Sequence, residues 1–341
     1  MSIDRFKTAV SVLFRHPPAW KYDRNRDHAF AEIDRFLEEY VRPGRPCDLK
    51  KRPNEVWECV ESHLVRAVGE IEKTITLRAA PQGVTVWQMY NSGVIVQLAG
   101  RTVALDLLPI IRDFDWVEPP GFTRRIAGMV DMLLVTHRHK DHCDAALVRS
   151  CLRSGKPVMM PRPLAETFGS DPLLIPVDGT LETELQNLKI TARTGCHVWK
   201  ETVAELPVAY YEITAPDGFS FIFAGDTDYT KEFEKTPGRD IHLLFIPWRN
   251  PNAQYEQGHP LCRGTTLDAV NIALRRIRPR ALIYEHYGEL KHVYDGFAPS
   301  YGMAAWLKKS LKVPSERMFW GEHIAMRGLQ RISSRSARPR S

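Results

Sequence analysis

The segment Val130-Asp131-Met132-Leu133-Leu134-Val135-Thr136-His137-Arg138-His139-Lys140-Asp141-His142 decides how this chain is read. Its first half is a short apolar run of the kind that forms a buried strand. Its second half sets three imidazoles and a carboxylate into six consecutive residues. A strand that feeds directly into such a turn can aim those side chains into one pocket. Imidazole nitrogen together with carboxylate oxygen suits Zn, Mn or Fe. A purification tag or a surface histidine patch is the competing explanation. It fits poorly, because the run is internal, interleaved with aspartate, and follows an apolar strand.

Working outward, three further residues stand at comparable positions. His197 closes Thr194-Gly195-Cys196-His197, just after the alternating Leu188-Lys189-Ile190-Thr191-Ala192. Asp226 closes Phe221-Ile222-Phe223-Ala224-Gly225-Asp226, an apolar run ending in a Gly-Asp turn. His286 follows Ala281-Leu282-Ile283-Tyr284-Glu285.

This ordered set resembles the metallo-β-lactamase superfamily, whose signature His-x-His-x-Asp-His stands here as His137, His139, Asp141 and His142. The resemblance covers about residues 84–325. It implies a mixed α/β fold, a four-layer αββα sandwich, preceded by an N-terminal helical extension. It also implies two divalent metal ions, with Zn foremost and Mn or Fe as alternatives. His137, His139 and His197 would bind the first ion, Asp141, His142 and His286 the second, and Asp226 would bridge them. The implied activity is metal-dependent hydrolysis by a metal-bridging hydroxide, with Asp141, Asp226 and His259 in catalytic roles. In the diiron, oxygen-reducing branch a glutamate occupies the place of His139, so histidine there favours hydrolysis. Asp144, two residues after His142, is similar to the branch of ascorbate-6-phosphate lactonases and N-acyl-phosphatidylethanolamine phospholipase D-like enzymes. That branch implies a small anionic lactone or phosphate ester as substrate. The alternatives are a phosphodiesterase on lipid headgroups, a nuclease, and a non-catalytic metal-binding module.

Other candidates come from loops. Trp248-Arg249-Asn250 follows the strand Leu243 to Pro247, and arginine and asparagine beside an aromatic ring suit an anionic group. A turn packed by Trp248 is the plain alternative. Asn91, Asp106 and Asp228 are candidates for lining the pocket or for orienting ligand imidazoles, and Glu285 and Tyr287 flank His286. His16, His28, His63, His242, His292 and His323 have no ligand-like partners nearby in sequence and are expected to be structural.

Composition sets the outer limits. The chain has 341 residues, 43% hydrophobic and 26% charged, enough for a large core. A net charge of +6 suits an anionic small molecule and does not require nucleic acid. The six cysteines show no CxxC pair, so free thiols in a reducing, cytoplasmic compartment are expected. No apolar run is long enough for a membrane span. The patch Ala9 to Phe14 lacks a small-residue cleavage site, so a signal peptide is not expected. Phe6, Val10 and Leu13 could share one helical face. Burial within the protein is its expected use, and contact with a membrane surface is the alternative.

The coarse organisation reads as three parts: a helical extension over 1–80, a hydrolase domain over 81–326, and an Arg- and Ser-rich tail over 327–341. Helices are expected over 27–41 and 54–72, Asp144 to Ser154, from Thr265 or Thr266 to just before Pro279, and Met303 to Lys312. Strands are expected over Val84 to Tyr90, Gly93 to Leu98, Thr102 to Leu107, around Val158, over Leu188 to Thr191, Val208 to Ile213, Phe219 to Phe223, Leu243 to Ile246, Leu282 to Glu285 and Met318 to Trp320. The tail is expected to be solvated, and self-association is compatible with the sequence.

Overall fold

The structure is a computed structural model. It describes residues 2–41, 51–76, 83–110, 116–197, 203–236, 238–247, 263–286, 289–290, 293 and 301–326. Helices α1 (Ile3–Arg15), α2 (Arg24–Phe36) and α3 (Lys51–Thr76) come first. They precede two seven-stranded sheets. The first sheet contains β1 (Val84–Gln88), β2 (Val94–Leu98), β3 (Arg101–Leu105), β4 (Met132–Leu134), β5 (Val158–Pro161) and β6 (Leu174–Val177). The second is built from β7 (Thr180–Leu185), β8 (Leu188–Cys196), β9 (Pro207–Thr214), β10 (Ser220–Phe223), β11 (Arg239–Pro247), β12 (Ile277–Glu285) and β13 (Ser315–Glu316). The last strand, β14 (His323–Met326), returns to the edge of the first sheet and pairs antiparallel with β1.

Alternation along the strands explains the layering. Val94, Val96, Val103, Leu105, Met132 and Leu134 share one apolar cluster with Tyr211, Phe221, Phe223, Leu243, Phe245 and Ile283. These are the facing sides of the two sheets. The intervening residues Ile95, Ala104, Leu133, Ile222, Leu244 and Leu282 point outward into a second cluster that includes the helices. Both faces of each central strand are therefore buried. This is why β4 and the stretches Val94 to Val96 and Phe221 to Phe223 read as unbroken apolar runs and not as alternating ones. Helix α4 (Phe122–Met129) and helix α5 (Ala145–Arg153) cover the first sheet, completing the helix–sheet–sheet–helix order with α8 (Arg263–Arg276) and α9 (Tyr301–Ser310) on the second. The short α6 (Arg162–Ala165) and α7 (Tyr229–Glu234) lie between strands.

The amphipathic face of α1 is turned inward. Phe6, Val10 and Leu13 are fully buried, and Phe6 contacts Phe36 and Phe319. Two buried arginines tie the helical extension to the segment just before β14. Arg26 grips the Glu322 carboxylate with both Nη atoms at 2.6 and 2.9 Å, and Arg317 donates to Asp27 at 2.6 Å. Asp34 on α2 accepts from the backbone N–H groups of Tyr301 and Gly302, capping α9.

Several local expectations are corrected. The second helix begins at Arg24 behind the N-cap Asp23, whose carboxylate takes the N–H groups of Asn25 and Arg26. Helix α8 begins at Arg263, so Thr265 and Thr266 lie inside it. Pro279 lies within β12 and does not end the helix, which stops at Arg276. Residues Met318 to Trp320 are not a strand; they lead into the turn before β14. Among the described residues no helix is long and apolar enough to cross a membrane.

Candidate metal centre

The first group of candidate donors stands at the mouth of the sandwich, after β4. Tyr211, from the opposite sheet, donates its hydroxyl to the Val135 carbonyl at 2.6 Å, and the Thr136 carbonyl accepts from Ala209 N–H. From the first sheet, Asp106 accepts from Thr136 N–H at 2.7 Å and from Thr136 Oγ1 at 2.6 Å. The turn carrying the histidines is thus pinned from both layers. His197 follows β8, Asp226 follows β10 and His286 follows β12, so every donor sits past the end of a strand.

Backbone conformation is strained at this mouth. Asp106 (φ 45°) and His286 (φ 65°) lie in the left-handed region, which side chains other than glycine rarely adopt and which clusters at functional sites. Gly225 (φ 52°) shows why a glycine precedes Asp226. A Cβ there would stand 2.6 Å from Thr136 Cγ2, so the turn carrying Asp226 packs directly on the turn carrying His137.

The structure brings the seven expected residues together. Donor atoms of His137, His139, His197 and Asp226 form one group within 4.8 Å of one another, and Asp141, His142 and His286 form a second. In the second group His142 Nε2 and His286 Nε2 are 3.1 Å apart, and Asp141 Oδ2 is 3.6 Å from each. Ligands held about 2.0–2.2 Å from one ion stand roughly 2.8–3.6 Å apart in tetrahedral or octahedral geometry, so this triangle has the right size. Asp226 reaches both groups: Oδ2 lies 3.4 Å from His197 Nε2 and 3.5 Å from His142 Nε2, while Oδ1 lies 3.0 Å from His286 Nε2.

Proton placement agrees with a cation-binding role. His137 Nδ1 faces Thr136 Oγ1 at 3.0 Å, and that hydroxyl already donates to Asp106, so it accepts the Nδ1 proton. His137 Nε2 is left buried without a hydrogen-bond partner among the described residues. An orphaned buried acceptor is costly unless a ligand takes it. Burial, reinforced by neighbouring His142, holds the His137 pKa well below the usual histidine range, and burial with His197 pushes His139 down to about 4. Both rings therefore offer lone pairs. Burial works against charge on His142, yet Asp141, Asp106 and Asp226 outweigh it and raise its pKa. The carboxylates that favour a proton there favour any cation at that point. For Asp226, burial alone would raise the pKa, but His286 and His142 hold it well below the carboxylate range.

Supporting residues fall partly where expected. Asp106 Oδ2 meets His142 Nδ1 at 2.7 Å, and Asn91 Nδ2 donates to the Asp141 carbonyl at 3.0 Å. Asp228 does neither; it caps α7 through Lys231 N–H and Thr230 Oγ1. Asp144 caps α5 through Leu147 N–H. Glu285 is fully buried, and burial raises its pKa well above the carboxylate range. Sequence reading missed three supports: Ser92, 3.2 Å from His142 Nδ1; Thr136 behind His137; and Glu289, in ion-pair contact with His286 Nδ1. The one signal for Glu289 is its spacing three residues after His286. Trp248, Arg249, Asn250, His259, Tyr287 and His292 lie outside the described residues. His242 accepts from Ser220 N–H, His63 stacks on Phe14 and His323 packs on Trp87, all structural uses.

Comparison with known proteins agrees with this geometry. Residues 101–287, more than half of the chain, match the family described as the β-lactamase superfamily domain. Igni18, a metallo hydrolase from the archaeon Ignicoccus hospitalis KIN4/I, is 16% identical with a TM-score of 0.51, over 72% of this chain and 99% of its own. A protein from Veillonella parvula DSM 2008, described as a possible metal-dependent hydrolase, is 15% identical with a TM-score of 0.51, over 72% of this chain and 100% of its own. CmlA, a diiron β-hydroxylase from Streptomyces venezuelae, is 15% identical with a TM-score of 0.49, over 72% of this chain and 54% of its own. At these identities the likeness is one of fold. No curated protein sequence matches. The sandwich, the donors gathered past its strand ends and the matched segment lead to one conclusion: this chain belongs to the metallo-β-lactamase superfamily.

Proposed function

We propose that the protein is a dinuclear metal-dependent hydrolase acting on a small anionic lactone or phosphate ester. The observation that carries this reading is the placement of Asp226, whose carboxylate lies within 3.5 Å of imidazoles from both donor groups. His137, His139 and His197 would hold one ion, Asp141, His142 and His286 the other, and Asp226 both. A bound pair of divalent ions supplies Lewis acidity and a nucleophile available at neutral pH. Each residue of the chain then has a defined task. Neutral His137 and His139 present lone pairs. Asp226 and Asp141 supply negative charge that balances the ions. Asp141 is the donor with most solvent access among the acids, which suits it to meet substrate or pass a proton outward. Buried Tyr211, Asp106 and Gly225 fix where these groups stand and exclude water behind them.

Histidine at position 139 supports hydrolysis over oxygen chemistry. The lactone and phosphate-ester classes follow from the sequence resemblance carried by Asp144. The net charge of +6 is compatible with an anionic substrate.

The test is turnover of a chromogenic phosphodiester and of a lactone panel by full-length protein loaded separately with Zn and with Mn, with Asp226→Asn as control. Hydrolysis of either class that the control lacks supports the reading and chooses between the classes. Protein shown to hold two ions that turns over neither class refutes the substrate assignment.

A further inference from the structure

Connections between strands usually run over the surface, but the turn between β1 and β2 is enclosed. Met89, Tyr90, Asn91 and Ser92 are each no more than 1% exposed. The turn is stiffened from within. The buried Gln88 side chain donates to the Asn91 carbonyl at 2.8 Å, and Gly93 N–H donates to the Tyr90 carbonyl at 3.1 Å. Asn91 takes the left-handed conformation (φ 61°), which asparagine adopts more readily than most side chains. Its consecutive residues meet the Asp141–His142–His286 group. Asn91 Nδ2 donates to the Asp141 carbonyl at 3.0 Å. Ser92 Oγ lies 3.2 Å from His142 Nδ1. The Tyr90 hydroxyl accepts from Leu290 N–H at 3.0 Å, and Leu290 directly follows Glu289, whose carboxylate contacts His286 Nδ1. Asp141, His142 and His286 are thus all linked to one turn.

Three tryptophans from distant parts of the chain hold the Tyr90 ring. Trp57 of α3 meets it edge-on, with centroids 5.6 Å apart and planes at 86°. Trp320, in the segment before β14, lies 5.0 Å away. Trp116 meets it edge-on at 6.4 Å and stacks on Trp57 at 4.2 Å with planes at 7°. Edge-to-face and stacked rings attract one another and favour particular orientations. Trp57 is only 3% exposed, so the helical extension closes over the turn at this point. Trp57 and Tyr90 both precede residues 101–287, the segment that matches the family. We infer that Tyr90 is a positioning residue for the metal centre: its ring, held by Trp57 of the helical extension, sets the turn against Asp141 and His142, and its hydroxyl holds Leu290 so that Glu289 stands behind His286. The role rests on the reading of Asp141, His142 and His286 as metal ligands, and it gives the helical extension a part in the site.

The experiment is a Co2+ titration of full-length, metal-stripped protein, well below its melting temperature, followed by visible absorption and by metal content after dialysis. The melting temperature of each metal-free variant is measured beside it. Tyr90→Phe keeps the ring among the tryptophans and removes only the hydroxyl. It should bind Co2+ about 10-fold more weakly, the low end of the cost usual when a metal ligand loses a supporting partner, and its absorption per bound ion should change. Trp57→Ala should weaken binding at least as much, and Trp57→Phe, which restores an aromatic ring, should recover it to within about threefold of wild type. Phe30→Leu loosens the same extension where Phe30 stacks on Tyr301, so it should lower the melting temperature and leave binding within about threefold. Near-UV circular dichroism confirms that the variants are folded, and Tyr90→Phe carries the test if Trp57→Ala is not. Unchanged binding and absorption in folded Tyr90→Phe, or an equal loss of binding in Phe30→Leu, overturns the inference while leaving the hydrolase reading intact. Uptake of no ion by wild type overturns both.

Discussion

Removing one partner of the Arg26–Glu322 pair tests how firmly the helical extension belongs to the fold. The Arg26 and Glu322 side chains are 4% and 2% exposed. Arg26 also donates to the His16 carbonyl at 2.6 Å and the Arg317 carbonyl at 3.2 Å, and Glu322 accepts from Phe319 N–H at 2.7 Å. The pair therefore joins the end of α1, the start of α2 and the turn before β14. Burial outweighs Arg26 and leaves the Glu322 carboxyl above its usual pKa, the mark of an ion pair that is expensive to desolvate. Such a pair adds little net stability over an apolar pair, but breaking it strands a buried charge at a cost of about 3–5 kcal/mol. With an unfolding entropy of about 2.1 cal/mol/K per residue, 341 residues give about 0.7 kcal/mol/K, so Glu322→Ala or Arg26→Ala should lower the melting temperature by about 4–7 °C. Scanning calorimetry at pH 7 reads this directly. The double variant Arg26→Met/Glu322→Leu should recover most of the loss, because it strands no charge. Single variants that melt within 1 °C of wild type, or a double variant as damaged as the sum of the singles, would refute the reasoning.

Three further outcomes follow from the same contacts. Gly225→Ala places a methyl 2.6 Å from Thr136 Cγ2 at φ 52°, so it should cost about 1–2 kcal/mol in backbone strain alone and displace Asp226; wild-type melting and metal content would contradict this. His63, lowered to about 4 by burial and Arg66, stays neutral in the fold while the unfolded chain takes a proton near pH 6.5. The unfolded state then binds more protons between these values, so this group's share of stability is lost as pH falls from about 6.5 to about 4. His63→Phe, which keeps the stacking on Phe14, should flatten that fall, read as urea midpoints at pH 7 and pH 4.5; an unchanged slope would remove His63 as its cause. Asp226→Asn should remain folded, retain less metal and lose turnover by at least two orders of magnitude, and His137→Ala should lower metal content as well; normal turnover in either, measured beside metal analysis, would rule out the dinuclear mechanism.

The amino-acid sequence by itself determined the strand core and pointed to the residues that are candidate donors. Apolar runs such as Phe221 to Phe223 and Leu282 to Tyr284 are buried on both sides, and the residues that follow them, Asp226 and His286, can only emerge at the sheet ends. Local chemistry of that kind is written in consecutive residues. Partners distant in sequence were less legible. Asp106 stands 36 residues from His142, and Asn91 stands 50 residues from Asp141. Both were candidates, but only the sheet order places β3 beside β4 and brings Asp106 against His142. Asp228, an equal candidate from sequence, goes instead to a helix cap, where its carboxylate accepts from Lys231 N–H and Thr230 Oγ1 at the start of α7. The helical extension was legible as helices, while its attachment through Arg26 to Glu322, 296 residues away, was not. Pairings across such distances depend on the whole chain closing around one core, and no local pattern of residues encodes that closure.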